Sequence, residues 1–355
     1  MRPRTTTADP AARASGPLTG LLTACLTACL AVTLAGCSGQ GGRVRFDAPS
    51  AAPTPAPTSV VTPHPVAEAV RLTQLPTGPE AEFHEESTLD DGTTIGVTTL
   101  EGQKSGFTGK VWVWAPKQYF ESQYAHSGFP VLIALPGGRG FPKNYWMAAG
   151  LRLESSIAAW SKDGRSLPFI VVMPVLNADK SHFYDGSDIP GQPKMGTWLT
   201  EDVPDLVRAN FRTFHSRDGW AFMGSSSGGF AALKSVLQKP DQFKAVIASG
   251  PDTVPDSPLW KGYEEERQAN NPERLAQELV TKDGPDVYLA FQIGSKESGK
   301  PNVEKFIRNY GKGPVKTHLQ VIAGGEHNAK TYIRGMGEGS IKWISAHLQA
   351  PVPTA

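Results

Sequence analysis

The chain has 355 residues, 39% of them hydrophobic, enough for a sizeable core as one large domain or two small ones. Its 35 basic and 34 acidic side chains leave a formal charge of +1, a balance that argues against a polyanion such as nucleic acid as partner.

Arg2, Arg4 and Arg13 precede an apolar, chargeless run over residues 18–35, the pattern of an export signal. The run ends in Leu34-Ala35-Gly36-Cys37, which resembles the lipobox at which bacterial lipoprotein precursors are cut, and a small-residue stretch, Ser38-Gly39-Gln40-Gly41-Gly42, follows. Residues 1–36 are therefore read as a lipoprotein signal peptide. Cys37 is the expected lipid attachment site, placing the protein on the outer face of the cell membrane. A plain secretory signal cut near Ala35, or a retained membrane helix, is the alternative. Cys25 and Cys29 fall inside the removed segment, so the mature chain has no thiol pair for a disulfide. Removal also takes three arginines and Asp9, leaving 32 basic and 33 acidic residues and a formal charge of −1.

Residues 37–80 are read as a tether. From Pro49 to Pro79 the chain is dense in Pro, Thr and Ala, a composition that favours extended backbone reaching ~3 Å per residue. No internal repeat is visible. Residues 81–350 then alternate short β-branched and aromatic runs with amphipathic stretches, predicting one α/β domain whose mostly parallel sheet is flanked by helices. Strands are predicted over 109–115, 130–135, 169–173, 220–223, 243–248, 287–293 and 318–322. Helices are predicted over 199–210, 229–238, 303–310 and 332–347. The continuous apolar runs imply strands buried on both faces.

Gly224-Ser225-Ser226-Ser227-Gly228 satisfies G-x-S-x-G between a predicted strand and a predicted helix, the context of the nucleophile elbow of an α/β-hydrolase fold. Glycine flanks permit a turn tight enough to lift the Ser226 hydroxyl above the sheet edge, and Ser227 N–H at the helix start is an expected oxyanion donor. A serine hydroxyl needs a base, and this fold runs Ser, acid, His along the chain. His327, between the last predicted strand and the last predicted helix, meets that order. His318, at the start of its strand, is expected at the strand's far end. Glu297, just past the strand over 287–293, is the expected acid, with Glu304 and Asp252 as rivals. Leu135-Pro136-Gly137-Gly138-Arg139-Gly140 is the expected second oxyanion loop, with Gly138 or Arg139 giving the N–H. The absence of Gly-Lys-Ser/Thr excludes a P-loop reading there.

With these residues in place, the chain resembles the esterase family that includes esterase D, feruloyl esterases and the mycobacterial mycolyltransferases of the antigen complex, within the α/β-hydrolase superfamily. The likeness runs from Phe107 to His347. It is carried by Leu135-Pro136-Gly137-Gly138-Arg139, Val172-Met173-Pro174-Val175, His182-Phe183-Tyr184, Thr197-Trp198-Leu199-Thr200-Glu201-Asp202-Val203-Pro204, the Ser226 elbow and Gly325-Glu326-His327. The resemblance implies Ser226, Glu297 and His327 as the triad. Two departures bear on substrate. Pro136 stands where the mycolyltransferases hold trehalose with an aspartate, although Arg139 is retained, and Asn328-Ala329 follow His327 in place of an aromatic. Hydrolysis of a small-molecule or envelope carboxylic ester through an acyl-enzyme on Ser226 is therefore expected, with no metal or cofactor. An acyltransferase acting on a sugar or envelope alcohol, and a noncatalytic binding protein on the same scaffold, are the alternatives.

Overall fold

The computed structural model describes residues 41–47 and 65–354. The expected signal peptide, Cys37 and residues 48–64 of the expected tether lie outside the described residues. The strands, in chain order, are β1 (Arg43–Val44), β2 (Thr73–Gln74), β3 (Phe83–Thr88), β4 (Thr94–Glu101), β5 (Thr108–Trp114), β6 (Val131–Leu135), β7 (Ile170–Pro174), β8 (Thr213–Phe214), β9 (Trp220–Ser225), β10 (Ala245–Ser249), β11 (Val287–Gly294) and β12 (Val315–Ile322). Ten of them make one sheet in the order β1-β3-β4-β5-β7-β6-β9-β10-β11-β12, and β2 pairs with β8 separately. From β7 to β12 all pairings are parallel, whereas β1, β3, β4 and β5 run antiparallel at one side.

The seven anticipated strands are all present as β5, β6, β7, β9, β10, β11 and β12. Every residue of β6, β7, β9 and β10 is buried, as uninterrupted apolar sequence demands of strands covered on both faces. The helix Ser227–Gln238 packs against β9 and β10, and Leu153–Lys162, Pro272–Thr281 and Lys300–Tyr310 join it around the sheet. Trp112, Trp114, Trp146, Trp198 and Trp220 are the largest apolar side chains in the core.

Of the antiparallel side only β5 was anticipated; β1, β3 and β4 were not. β3 reads Phe-His-Glu-Glu-Ser-Thr, with one buried residue, so it lacks the apolar run that marks the central strands. The tether boundary also needs correction. Within residues 37–80, β1 pairs with β3, and Phe46 packs against Phe83 and Phe211 with ring centroids 5.3 and 5.0 Å apart. Ala69 of the helix Pro65–Leu72 is buried. The Thr73 hydroxyl bonds the Ala69 and His126 carbonyls and accepts from Gly128 N–H. At the other end, Val352 N–H donates to Ser127 Oγ at 2.9 Å, so the packed region runs past residue 350. His318 lies within β12, opposite Ala290 and stacked on Trp343, rather than at the strand's far end.

The parallel register sets up a common edge. Leu135 lies opposite Gly224, Ser225 opposite Ser249, Ser249 opposite Gln292, and Gly294 opposite Ile322. Loops leaving the C-terminal ends of β6, β9, β10, β11 and β12 therefore emerge together, where ligands bind in open α/β sheets. Asn144 braces the diverging ends of β6 and β7, its Nδ2 donating to the Ala134 and Pro174 carbonyls at 2.8 Å each. Trp146 Nε1 donates to the Leu135 carbonyl at 2.8 Å and closes the same corner.

Candidate active site

β9 ends at Ser225, and the helix Ser227–Gln238 starts two residues later. Ser226 bridges them with φ 54° and ψ −125°, a conformation that costs an L-residue ~1–3 kcal/mol and is found where function demands it. The two flanking glycines are required by contact. A Cβ on Gly224 would lie 2.2 Å from the Gly228 carbonyl oxygen, and one on Gly228 would lie 2.3 Å from that of Pro136. Ser226 N–H donates to the Ser249 carbonyl at 2.8 Å, tying the bend to β10. Ser227 opens the helix, so its N–H has no carbonyl one turn earlier to bond. The Ser225 hydroxyl is buried against Tyr145.

His327 follows β12. Its Nδ1 lies 2.6 Å from Glu297 Oε2, and its side chain is 51% exposed while that of Glu297 is 3% exposed. Glu297 Oε1 accepts from Gly294 N–H at 2.6 Å. Burial pushes the Glu297 carboxyl up. Hydrogen bonds from His327, Gly294 N–H and Tyr332, with the imidazole's charge, outweigh it and hold the carboxyl below its ordinary value. His327 is raised above the ordinary histidine value by its hydrogen bond to Glu297, against desolvation and with help from the charges of Glu297 and Asp252. Glu304 is half-buried and paired with Lys300 at 2.5 Å. Asp252 acts on His327 through charge, and no described hydrogen bond joins them.

Three polar contacts hold the loop after β6. Gly137 N–H donates to the Tyr145 hydroxyl at 2.6 Å, Ser227 Oγ donates to the Gly138 carbonyl at 2.8 Å, and Asn177 Nδ2 donates to the Arg139 carbonyl at 2.6 Å. In a trans peptide the carbonyl and the next N–H point opposite ways. The Gly138 carbonyl faces the Ser227 hydroxyl, so Arg139 N–H is directed away from it. Gly138 N–H has no partner among the described hydrogen bonds. The Arg139 guanidinium lies over the Phe183 ring, 3.7 Å from its centroid.

Ser226, His327, Gly138, Tyr145, Leu151 and Tyr332 line one cavity of about 590 Å³. A second hollow of equal volume, over Thr98–Leu100 and Asp205–Asn210, joins no serine to a histidine. Size does not separate the two; chemistry does.

Residues 106–346 match the Esterase family model, whose description reads "Putative esterase". The chain belongs to the Esterase family. A protein of Corynebacterium glutamicum described as uncharacterized is 24% identical over 245 residues, covering 64% of this chain and 55% of its own. The chain thus spans about half the length of that curated relative. Among solved structures, a ferulic acid esterase matches at TM-score 0.58 and 18% identity, covering 72% of this chain and 99% of its own. An S-formylglutathione hydrolase from Agrobacterium tumefaciens matches at TM-score 0.56 and 17% identity, over 75% and 99%. FphF, a fluorophosphonate-binding serine hydrolase of Staphylococcus aureus, matches at 0.57 and 16%, over 71% and 98%. These likenesses fix the α/β-hydrolase fold, and family membership supports an esterase function.

Two residues of this site escaped the sequence reading. Tyr145 supports the loop after β6, and Tyr332 sends its hydroxyl to Glu297 Oε2 at 2.9 Å. Tyr332 stands five positions after His327, its one signal in the sequence. On a helical pattern, however, it is indistinguishable from a core aromatic.

Proposed function

We propose that the protein is an exported serine esterase that hydrolyses carboxylic esters through an acyl-enzyme on Ser226. The reading is carried by one observation: a serine held at φ 54° on a strand-to-helix bend shares a cavity with a histidine whose far nitrogen is bonded to a buried carboxylate. Glu297 holds the proton on Nδ1 and leaves Nε2 free. Ser226 Oγ attacks the ester carbonyl while Nε2 takes its proton. The tetrahedral oxyanion is met by the N–H groups of Ser227 and Gly138, where removing one such donor typically costs about 10²–10³ in kcat. Collapse expels the alcohol with the proton from His327. Water then attacks the acyl-enzyme, again with Nε2 as base, releasing the carboxylic acid and restoring the serine.

The test is a p-nitrophenyl ester chain-length series on wild type, Ser226→Ala and His327→Ala. Both variants are expected to lose several orders of magnitude in kcat, about equally, because the two groups act as a unit. Product partition between water and added alcohols separates hydrolysis from acyl transfer, and dominant transfer would replace the hydrolase reading. Export and membrane anchoring are proposed on the arginines, the apolar run and Cys37. Strand β1 would then begin six residues past the anchor, so the catalytic domain sits close to the membrane rather than on a long tether. Cys37→Ala is expected to release the protein from the membrane fraction.

A further inference from the structure

We propose that Tyr332 is a positioning residue that holds the Glu297 carboxylate and the His327 ring in the one arrangement from which the imidazole serves Ser226. The proposal rests on the serine-esterase reading above and adds a member that neither the G-x-S-x-G motif nor the order Ser, acid, His contains.

The Tyr332 oxygen lies 2.9 Å from Glu297 Oε2 and 2.9 Å from His327 Nδ1, and the residue is 1% exposed. An ionised carboxylate only accepts, and a phenol has one proton to give. The phenol therefore donates to Glu297 and turns a lone pair toward Nδ1. All three contacts are satisfied together only when Nδ1 carries its hydrogen, shared between Glu297 Oε2 and the phenol oxygen. With Nδ1 bare, its lone pair would face the carboxylate at 2.6 Å. The arrangement thus selects the tautomer whose Nε2 is free. It also pins the carboxylate at both oxygens, Oε1 by Gly294 N–H and Oε2 by Tyr332 and His327. Burial, with the nearby Glu297 charge, drives the phenol far above its ordinary value, so it does not compete for the proton in turnover.

The surrounding chain is shaped for this contact. A Cβ at Gly250, where φ is +52°, would lie 2.2 Å from the Tyr332 oxygen, 2.7 Å from Glu297 Oε2 and 2.9 Å from His327 Cε1. Three side chains converge on a position that carries none. Asn328 caps the next helix, Ala329–Gly335, by accepting from Thr331 N–H at 3.0 Å, which folds Tyr332 back over His327.

The test is Tyr332→Phe, which keeps the ring and removes the hydroxyl. Turnover per active site, counted by fluorophosphonate titration so that unfolded protein does not enter, is expected to fall about tenfold with KM changed less than about twofold. The acid limb of kcat/KM is expected to move to higher pH, because Oε2 without the phenol donor keeps more of its charge for the imidazolium. The titratable or charged groups facing His327 are Glu297 after β11, Asp252 after β10 and Tyr332 itself, with Tyr145 behind it, and only Tyr332 changes. Replacing Tyr332 by p-aminophenylalanine, which keeps an N–H donor at the place of the phenol, is expected to return the limb toward wild type. This second variant is read alone if the first does not fold, and a limb displaced in it overturns the proposal. Equal defects in both variants overturn it as well, since shape rather than the donor would then be at issue. An unchanged Tyr332→Phe beside an inactive Ser226→Ala overturns the role of Tyr332 alone; an active Ser226→Ala overturns the esterase reading and this proposal together.

Discussion

Glu297 and His327, thirty residues apart, meet at 2.6 Å with the carboxylate 3% exposed and the imidazole half exposed. The pair faces a cavity at one end and the protein interior at the other, so the ring is steered from within and works at the surface. Replacing the acid by its amide should leave the fold intact and remove the steering. Glu297→Gln is expected to lower kcat by about 10³–10⁴ through loss of the correct tautomer. Glu304→Gln, on the helix Lys300–Tyr310, should leave kcat/KM unchanged. Steady-state kinetics on a p-nitrophenyl ester checks both.

The pair also sets a pH signature. His327 is raised in the folded state, so its contribution to stability is full below the ordinary histidine value and is lost as pH rises through the folded value. Glu297 is depressed, so its contribution is present above the ordinary carboxyl value and lost as pH falls through the folded one. The acid limb of kcat/KM, which reports the free enzyme's base, is expected above ~6.5, the value of an unperturbed imidazole. Glu297→Gln should lower that limb.

A second histidine works the other way. His318 is stacked on Trp343 at 5.3 Å with Nε2 buried and unpartnered among the described residues, and burial depresses it. Below the ordinary histidine value the unfolded chain binds a proton that the folded one resists, so stability falls as pH drops from there toward the folded value. His318→Phe, which keeps an aromatic against Trp343, is expected to flatten the fall of Tm across this range. Thermal melts from neutral to mildly acidic pH measure it.

Gly250 tests the crowding beneath the triad. Gly250→Ala places a methyl 2.2 Å from the Tyr332 oxygen and must hold a left-handed backbone. The backbone alone costs about 1–2 kcal/mol. Displacement of the Glu297–His327 pair is expected to lower kcat by about 10² or more. Melts and kinetics on one preparation separate the two effects.

The amino-terminal boundary gives a stability prediction. A chain starting at residue 81 lacks β1, the Phe46 ring between Phe83 and Phe211, and the helix Pro65–Leu72. Losing the partly buried Phe46 alone removes about 1 kcal/mol of burial. At about 2–4 °C per kcal/mol, Tm should fall at least ~2 °C from Phe46 alone, and further with β1 and the helix, relative to a chain starting at Gly41. Calorimetry of the two chains decides it.

What was legible in the sequence was what is locally forced. Gly224 and Gly228 leave no room for a side chain, so the elbow announces itself, and β6, β7, β9 and β10 are mostly apolar and buried throughout because both faces are covered. Glu297 was placed by its position at the lip of β11. What escaped depended on partners distant along the chain. Tyr332 reads as a core aromatic until Glu297 is brought against it. In Arg43-Val44-Arg45-Phe46-Asp47 the alternation of a strand is present, but five residues of it were outweighed by the proline-rich composition that follows. The sequence leaves Gly138 and Arg139 equal as proposed donors, and what bears on them, the Gly138 carbonyl facing Ser227 Oγ, is a contact across 89 residues.

The most direct test of the central claim is to quench the enzyme during turnover of p-nitrophenyl acetate and map the acetyl group by peptide mass spectrometry. The account predicts one acetyl on Ser226, absent in Ser226→Ala and formed far more slowly in His327→Ala. An acetyl group on Ser225 or Ser227 instead, or full turnover with Ser226 never acylated, would contradict it.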